Sequence, residues 1–151
     1  MEVHYRVKAV IDSNILFSAL IRDSTTRRLI LEYDDQFLFP SFIFEEMEKH
    51  KTELLEKSEM TSEEFNRLLQ LFLMKVIIVP KEMLIQHKEE AFAIVKDIDP
   101  DDATFVACAL AYPGSIILSD DKRLKLQTRV KIINTREFIE LQKKQKHLYM
   151  C

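Results

Sequence analysis

Acidic residues recur at four separated places where an apolar run ends or a helix is set to begin. Asp12 closes VKAVID, Glu46 lies in PSFIFEEM, Asp102 in DPDDATFVACAL, and Asp121 ends SIILSDD. Brought together, these carboxylates would repel one another unless protonated or neutralised by a cation. A hard divalent ion such as Mg2+ takes oxygen ligands of this kind, and an ion so held supports hydrolysis of a phosphodiester. Only the fold can bring residues so far apart in sequence to one place.

The elements that would do so alternate. A β-type run at 7 to 12 is followed by a helical pattern from Ser13 into the low thirties, then by the short strand QFLFP. Helices are expected at about 41 to 57 and 61 to 74, the second opened by Thr61 with Glu64 three residues on, a capping box. The strand KVIIVP precedes a helix from about 82 to 96, and DDATFVACALAY is a helix apolar nearly all round, hence buried. Strands SIILSD and VKIIN follow, separated by a short helical or turn segment around KRLKLQ, and Thr135 opens a last helix. This order predicts an α/β fold, a three-layer α/β/α sandwich with a mainly parallel central sheet, because each helical crossover returns the chain in the same direction. In such sheets ligands bind beyond the C-terminal strand ends, where Asp12 and Asp121 fall.

Each acid also has an ordinary structural explanation. Asp12, followed by Ser13 and Asn14, is suited to cap the next helix. Asp99, Pro100, Asp101 and Asp102 are what a helix N-terminus prefers, and Asp120 and Asp121 suit a turn. On a helical wheel Ile43, Met47 and Leu54 form an apolar stripe; Glu45 lies nearly opposite it with Lys49 as a surface partner, whereas Glu46 flanks it and looks towards a cleft. Asp102 is closer than Asp101 to the stripe of Ala103, Val106, Ala107 and Leu110. Capping explains the residue types at each place but not their recurrence at compatible ends of one sheet.

In order and context these strings resemble the PIN domain family of metal-dependent ribonucleases, which includes the VapC-type toxins of toxin and antitoxin pairs. The resemblance runs from about Val7 to about Leu141 and is carried by VIDSNILFSALI, PSFIFEEM, DPDDATFVACAL and ILSDDKRL. It implies one or two Mg2+ or Mn2+ ions, cleavage of single-stranded RNA, and Asp12, Glu46, Asp102 and Asp121 as the acidic quartet, with Asn14 and Ser119 as polar support. Glu45, Asp101 and Asp120 stand as the alternative member of each acidic doublet. Candidate phosphate contacts are Arg22, Arg27 and Arg28 after the first motif and Lys122, Arg123 and Lys125 after the fourth, although most Lys and Arg are simply solvated. The resemblance also implies a homodimer or an antitoxin-like protein partner as further possibilities, although the helices after Glu46 are longer than in compact toxin members.

Composition sets the remaining bounds. The 151 residues suit one domain, with the motifs in 7 to 141 and a short tail at 142 to 151. With 47% apolar and 31% charged residues, and apolar runs far too short to span a bilayer, a disordered chain and a membrane-spanning bundle are both excluded. No signal peptide is recognisable, so a cytoplasmic protein is expected. Net charge is −3, which argues against nucleic-acid binding through one large basic surface. His4, His50, His87 and His147 lack metal-ligand spacing, Cys108 reads as a buried thiol, and Cys151 ends the chain. Two other enzyme classes fit poorly: a haloacid dehalogenase type would need an acid where Asn14 stands, and a dinucleotide or P-loop enzyme would need more than the single Gly114. A non-enzymatic alternative is a PIN-like module that binds RNA or protein with little or no catalysis.

Overall fold

The computed structural model describes residues 7–22 and 25–150, with side chains as far as 144. His4 and Cys151, and the side chain of His147, lie outside the described residues. Five short strands, β1 (Ala9–Ile11), β2 (Phe37–Pro40), β3 (Val76–Val79), β4 (Ile116–Leu118) and β5 (Ile132–Ile133), form one sheet in the order β3-β2-β1-β4-β5. Every pairing is parallel. Helices flank this sheet in a three-layer α/β/α arrangement: α1 (Ser13–Ile21), α2 (Thr25–Glu32), α3 (Ile43–Ser58), α4 (Ser62–Leu73), α5 (Lys81–Gln86), α6 (Lys88–Val95), α7 (Ala103–Ala111) and α8 (Thr135–Met150).

The strand order explains where a site can form. From β1 the chain winds outward through β2 to β3, then returns to the other side of β1 for β4 and β5. The direction of winding therefore reverses between β1 and β4, and the loops leaving their C-terminal ends diverge to leave a crevice. Asp12 follows β1 directly, and Ser119 to Asp121 follow β4. All residues of β1, β2, β4 and β5 are buried, as strands covered on both faces must be.

Apolar packing fixes the crevice in place. Helix α7 lies against β1, β2 and β4 and is in turn covered by α5 and α6. Its Phe105 packs edge-on to Phe39 of β2 and to Phe42, which precedes α3. At the other end of β2, Phe37 sits in a cluster with Tyr33 and Phe138 of α8. Cys108 is buried as expected, and burial pushes its thiol up to about 12.

Three sequence-based boundaries are corrected. The single helix from Ser13 into the low thirties is two helices, because Arg22 turns to an extended backbone after α1. The helix at 82 to 96 is likewise broken at His87, whose N–H bonds back to Leu84 in a tightened turn; both halves thereby lie near α7. Asp101 and Asp102 do not open the α-helix directly but belong to a 3-10 turn, Pro100–Asp102, with α7 beginning at Ala103. The capping box is as expected: Thr61 Oγ1 accepts from the Glu64 N–H, and Glu64 accepts from the Thr61 N–H.

Candidate functional site

Asp12 performs its capping role and is also tied across the crevice. Its Oδ1 accepts from the Ile15 N–H at 2.9 Å, closing the first turn of α1. Its Oδ2 accepts from the hydroxyl of Ser119 at 2.5 Å. The same hydroxyl accepts the N–H of Asp121 at 3.1 Å, so Ser119, only 1% exposed, joins the ends of β1 and β4. Asp12 is 8% exposed. Burial raises its carboxyl above the usual range, opposed by the Ser119 and Ile15 hydrogen bonds and reinforced by the charges of Asp120 and Asp121.

The doublet after β4 divides by geometry. Asp120 turns to α8, accepting from the Thr135 N–H at 2.8 Å and from its hydroxyl at 2.9 Å. Asp121 turns the other way, towards Asp99 and Asp102. One carboxylate oxygen from each of Asp99, Asp102 and Asp121 lies within 4.8 Å of the others, a spacing that could hold a metal ion. Asp101 is exposed and lies outside this trio.

Asp99 is the member that the sequence reading assigned only to a helix start. It does cap the 3-10 turn, accepting from the Asp101 N–H at 3.0 Å. Asp99 stands in extended backbone three residues before Asp102, and the tight turn between them brings the two carboxylates into one cluster.

Electrostatics within the trio are uneven. The carboxyl of Asp102 is pushed up to about 6, first by desolvation and then by the charges of Asp99, Asp121 and Asp12. Its Oδ2 is buried without a hydrogen-bond partner. Asp121 is held low instead, because Arg123 donates to it through Nε at 3.3 Å and Nη2 at 3.2 Å. The same Nη2 reaches Asp99 at 3.0 Å. Arg123 thus bridges two of the three acids and leaves the most desolvated one without a partner for its buried oxygen.

Glu46 is not brought to the trio. It is half-buried as expected, but its Oε2 lies 3.6 Å from Nε2 of His50 one turn along α3. His50 also approaches Glu53 and packs on Phe17 of α1. Glu45 is exposed, and the surface pair expected with Lys49 is not among the ion pairs of the described residues. Asn14 is exposed in the first turn of α1.

The cations singled out from the sequence also separate. The guanidinium of Arg27 donates to the carbonyls of Ala19 and Leu20, closing the end of α1. Lys125 is bonded to Glu137 of α8. Arg22, Arg28 and Lys122 are exposed.

Three hard oxygen donors, one with a buried oxygen that no protein group satisfies, fit a divalent cation. Among the described residues no helix is long and apolar enough to cross a membrane. No curated protein matches the sequence. The PIN domain family model matches residues 10–148, spanning every strand but the first residue of β1, and PIN domains are generally nucleases that use divalent metals. This chain belongs to the PIN domain family.

Proposed function

We propose that the protein is a Mg2+- or Mn2+-dependent endoribonuclease acting on single-stranded RNA. The observation that carries this reading is Asp102, whose Oδ2 is buried and unpartnered and whose carboxylate lies at metal-binding distance from those of Asp99 and Asp121. A buried carboxylate oxygen left unsatisfied is costly, and a cation relieves both that cost and the mutual repulsion of the acids.

Asp102 and Asp121, with Asp99, would hold the ion, and Asp12 adjoins them as the fourth carboxylate. When bound, the ion polarises the phosphate and activates water for attack. Ser119 fixes the rotamer of Asp12 and the backbone of Asp121 together, so one side chain sets the separation of two acids. Arg123 occupies Asp99 and Asp121 through an exposed contact, which a divalent ion displaces at small cost. Asn14, exposed two residues after Asp12, would give polar support to the site. Glu46 would join these four only by turning away from His50.

The test is cleavage of an unstructured RNA in Mn2+. The expected result is cutting that EDTA stops and that Asp102→Asn or Asp12→Asn reduces on the order of a hundredfold or more. Cutting that persists unchanged in both variants sinks the proposal. One observation favours the non-catalytic alternative, a module that binds RNA or protein: both Glu46 and the Asp99–Asp121 pair already have cationic or imidazole partners. RNA binding at saturating Mn2+ with no cleavage would select it.

A further inference from the structure

We propose that the cleft between α8 and the 3-10 segment Lys122–Leu126 binds the sugar-phosphate backbone of a single RNA strand, held by Lys122, Arg136 and Lys143. The choice of RNA rests on the reading above; the site itself rests on the cleft. It has a volume of about 930 Å³ and is walled towards the carboxylates by Ser119 and Asp121. A strand lying in it runs directly onto the acidic centre.

Charge in the cleft is not balanced locally. Lys122, Lys125, Arg136 and Lys143 line it, as do Asp120, Asp121 and Glu140. Thr135 donates to Asp120 and Arg123 to Asp121, whereas Glu140 forms only an ion pair with Arg136, at 4.0 Å. Lys125 is likewise engaged, by Glu137. Among the described residues no carboxylate pairs with Lys122 or Lys143. The Arg136–Glu140 pair is highly exposed at both ends, so Arg136 leaves it at little cost. The four cations of the lining outnumber its three acids by one, in a chain whose net charge is −3.

The α8 contribution is a single face. Arg136, Glu140 and Lys143 follow one another at spacings of four and three, with Ile139 beside them, so their side chains line up along the helix. Phosphates of a flexible strand track such a row through charge, and most of that binding is sequence-independent.

The test is fluorescence anisotropy of a labelled single-stranded oligouridylate of about twelve nucleotides, in EDTA so that no cutting intervenes. The triple variant Lys122→Ala, Arg136→Ala, Lys143→Ala is expected to bind about tenfold more weakly, with a salt dependence shallower by about two units. A control that removes three exposed cations on α3 and α4, Lys51→Ala, Lys57→Ala, Arg67→Ala, is expected to keep wild-type affinity. Equal losses in both variants, no loss in the first, or no binding by the wild-type chain would each overturn the cleft. Equal competition by a duplex overturns the single-strand assignment. Mn2+ affinity by calorimetry should be unchanged in the cleft variant, whose carboxylates are intact. Binding through the cleft without any cutting in Mn2+ would retain this site while removing the nuclease, so the two readings fail separately.

Discussion

Asp12 and Asp102 sit on either side of one crevice, and burial raises the carboxyl of each, yet their surroundings differ in kind. Both oxygens of Asp12 are satisfied, one by the Ile15 N–H and the other by the Ser119 hydroxyl. Asp102 has a buried oxygen with no protein partner and three other acids acting on it. Asp12 is thus part of the fold's own hydrogen bonding as well as its site, because it starts α1 and joins β1 to β4. Asp102 contributes nothing comparable to the metal-free fold and carries an electrostatic cost instead. Two residues of one chemical type can be told apart by asking which of them the protein alone satisfies.

The comparison predicts stability changes of opposite sign. Asp12→Ala removes a helix cap and leaves the Ser119 hydroxyl buried without its acceptor, a loss of about 2 kcal/mol. Asp102→Asn removes a desolvated charge and is expected to stabilise the metal-free protein by about 1 kcal/mol, discounted for its partial exposure. Urea denaturation in EDTA at neutral pH measures both. If the two variants shift the midpoint in the same direction, the distinction between a satisfied and an unsatisfied acid is broken.

A smaller effect follows from pH. With its carboxyl near 6 in the fold and about 4 in the unfolded chain, Asp102 binds a proton more tightly when folded. Its contribution is fully present below about pH 4 and is lost as the pH rises through about 6. Asp12 acts in the same sense, whereas Asp121, held low by Arg123, acts in the opposite one. The clean readout is therefore the difference between wild type and Asp102→Asn in EDTA. That difference should open by up to about 1 kcal/mol between pH 4 and pH 7; a difference flat with pH would assign the desolvated charge to another residue.

The same contrast explains what was legible before the fold was known. Asp12 and Asp121 could be placed at a sheet edge because apolar runs announce strands, and parallel winding puts strand ends together. The choice of Asp121 over Asp120 was not legible. It depends on Thr135, fifteen residues from Asp120, drawing that acid away to α8. Asp99 was overlooked because an Asp before Pro is sufficiently explained as a cap, and only the 3-10 geometry adds a second role. Periodicity likewise recovered the helices but not their breaks at Arg22 and His87, where the backbone leaves helical geometry while the apolar pattern continues.

Glu46 provides the finest test of the comparison, because it stands between the two cases. Its helical position was read correctly as the edge of the apolar stripe, but its carboxylate rests beside His50 and outside the trio. An i, i+4 contact at 3.6 Å between partly exposed groups holds it weakly. Glu46→Gln should therefore change unfolding free energy by less than about 0.5 kcal/mol. If the trio suffices for the ion, Mn2+ affinity measured by calorimetry should fall by less than about threefold, against a much larger loss for Asp102→Asn. A loss as large as that of Asp102→Asn would mean that the ion pulls Glu46 off His50. The weakness of the His50 contact makes that movement cheap, so the size of the Glu46 effect measures how much of the site the metal itself assembles.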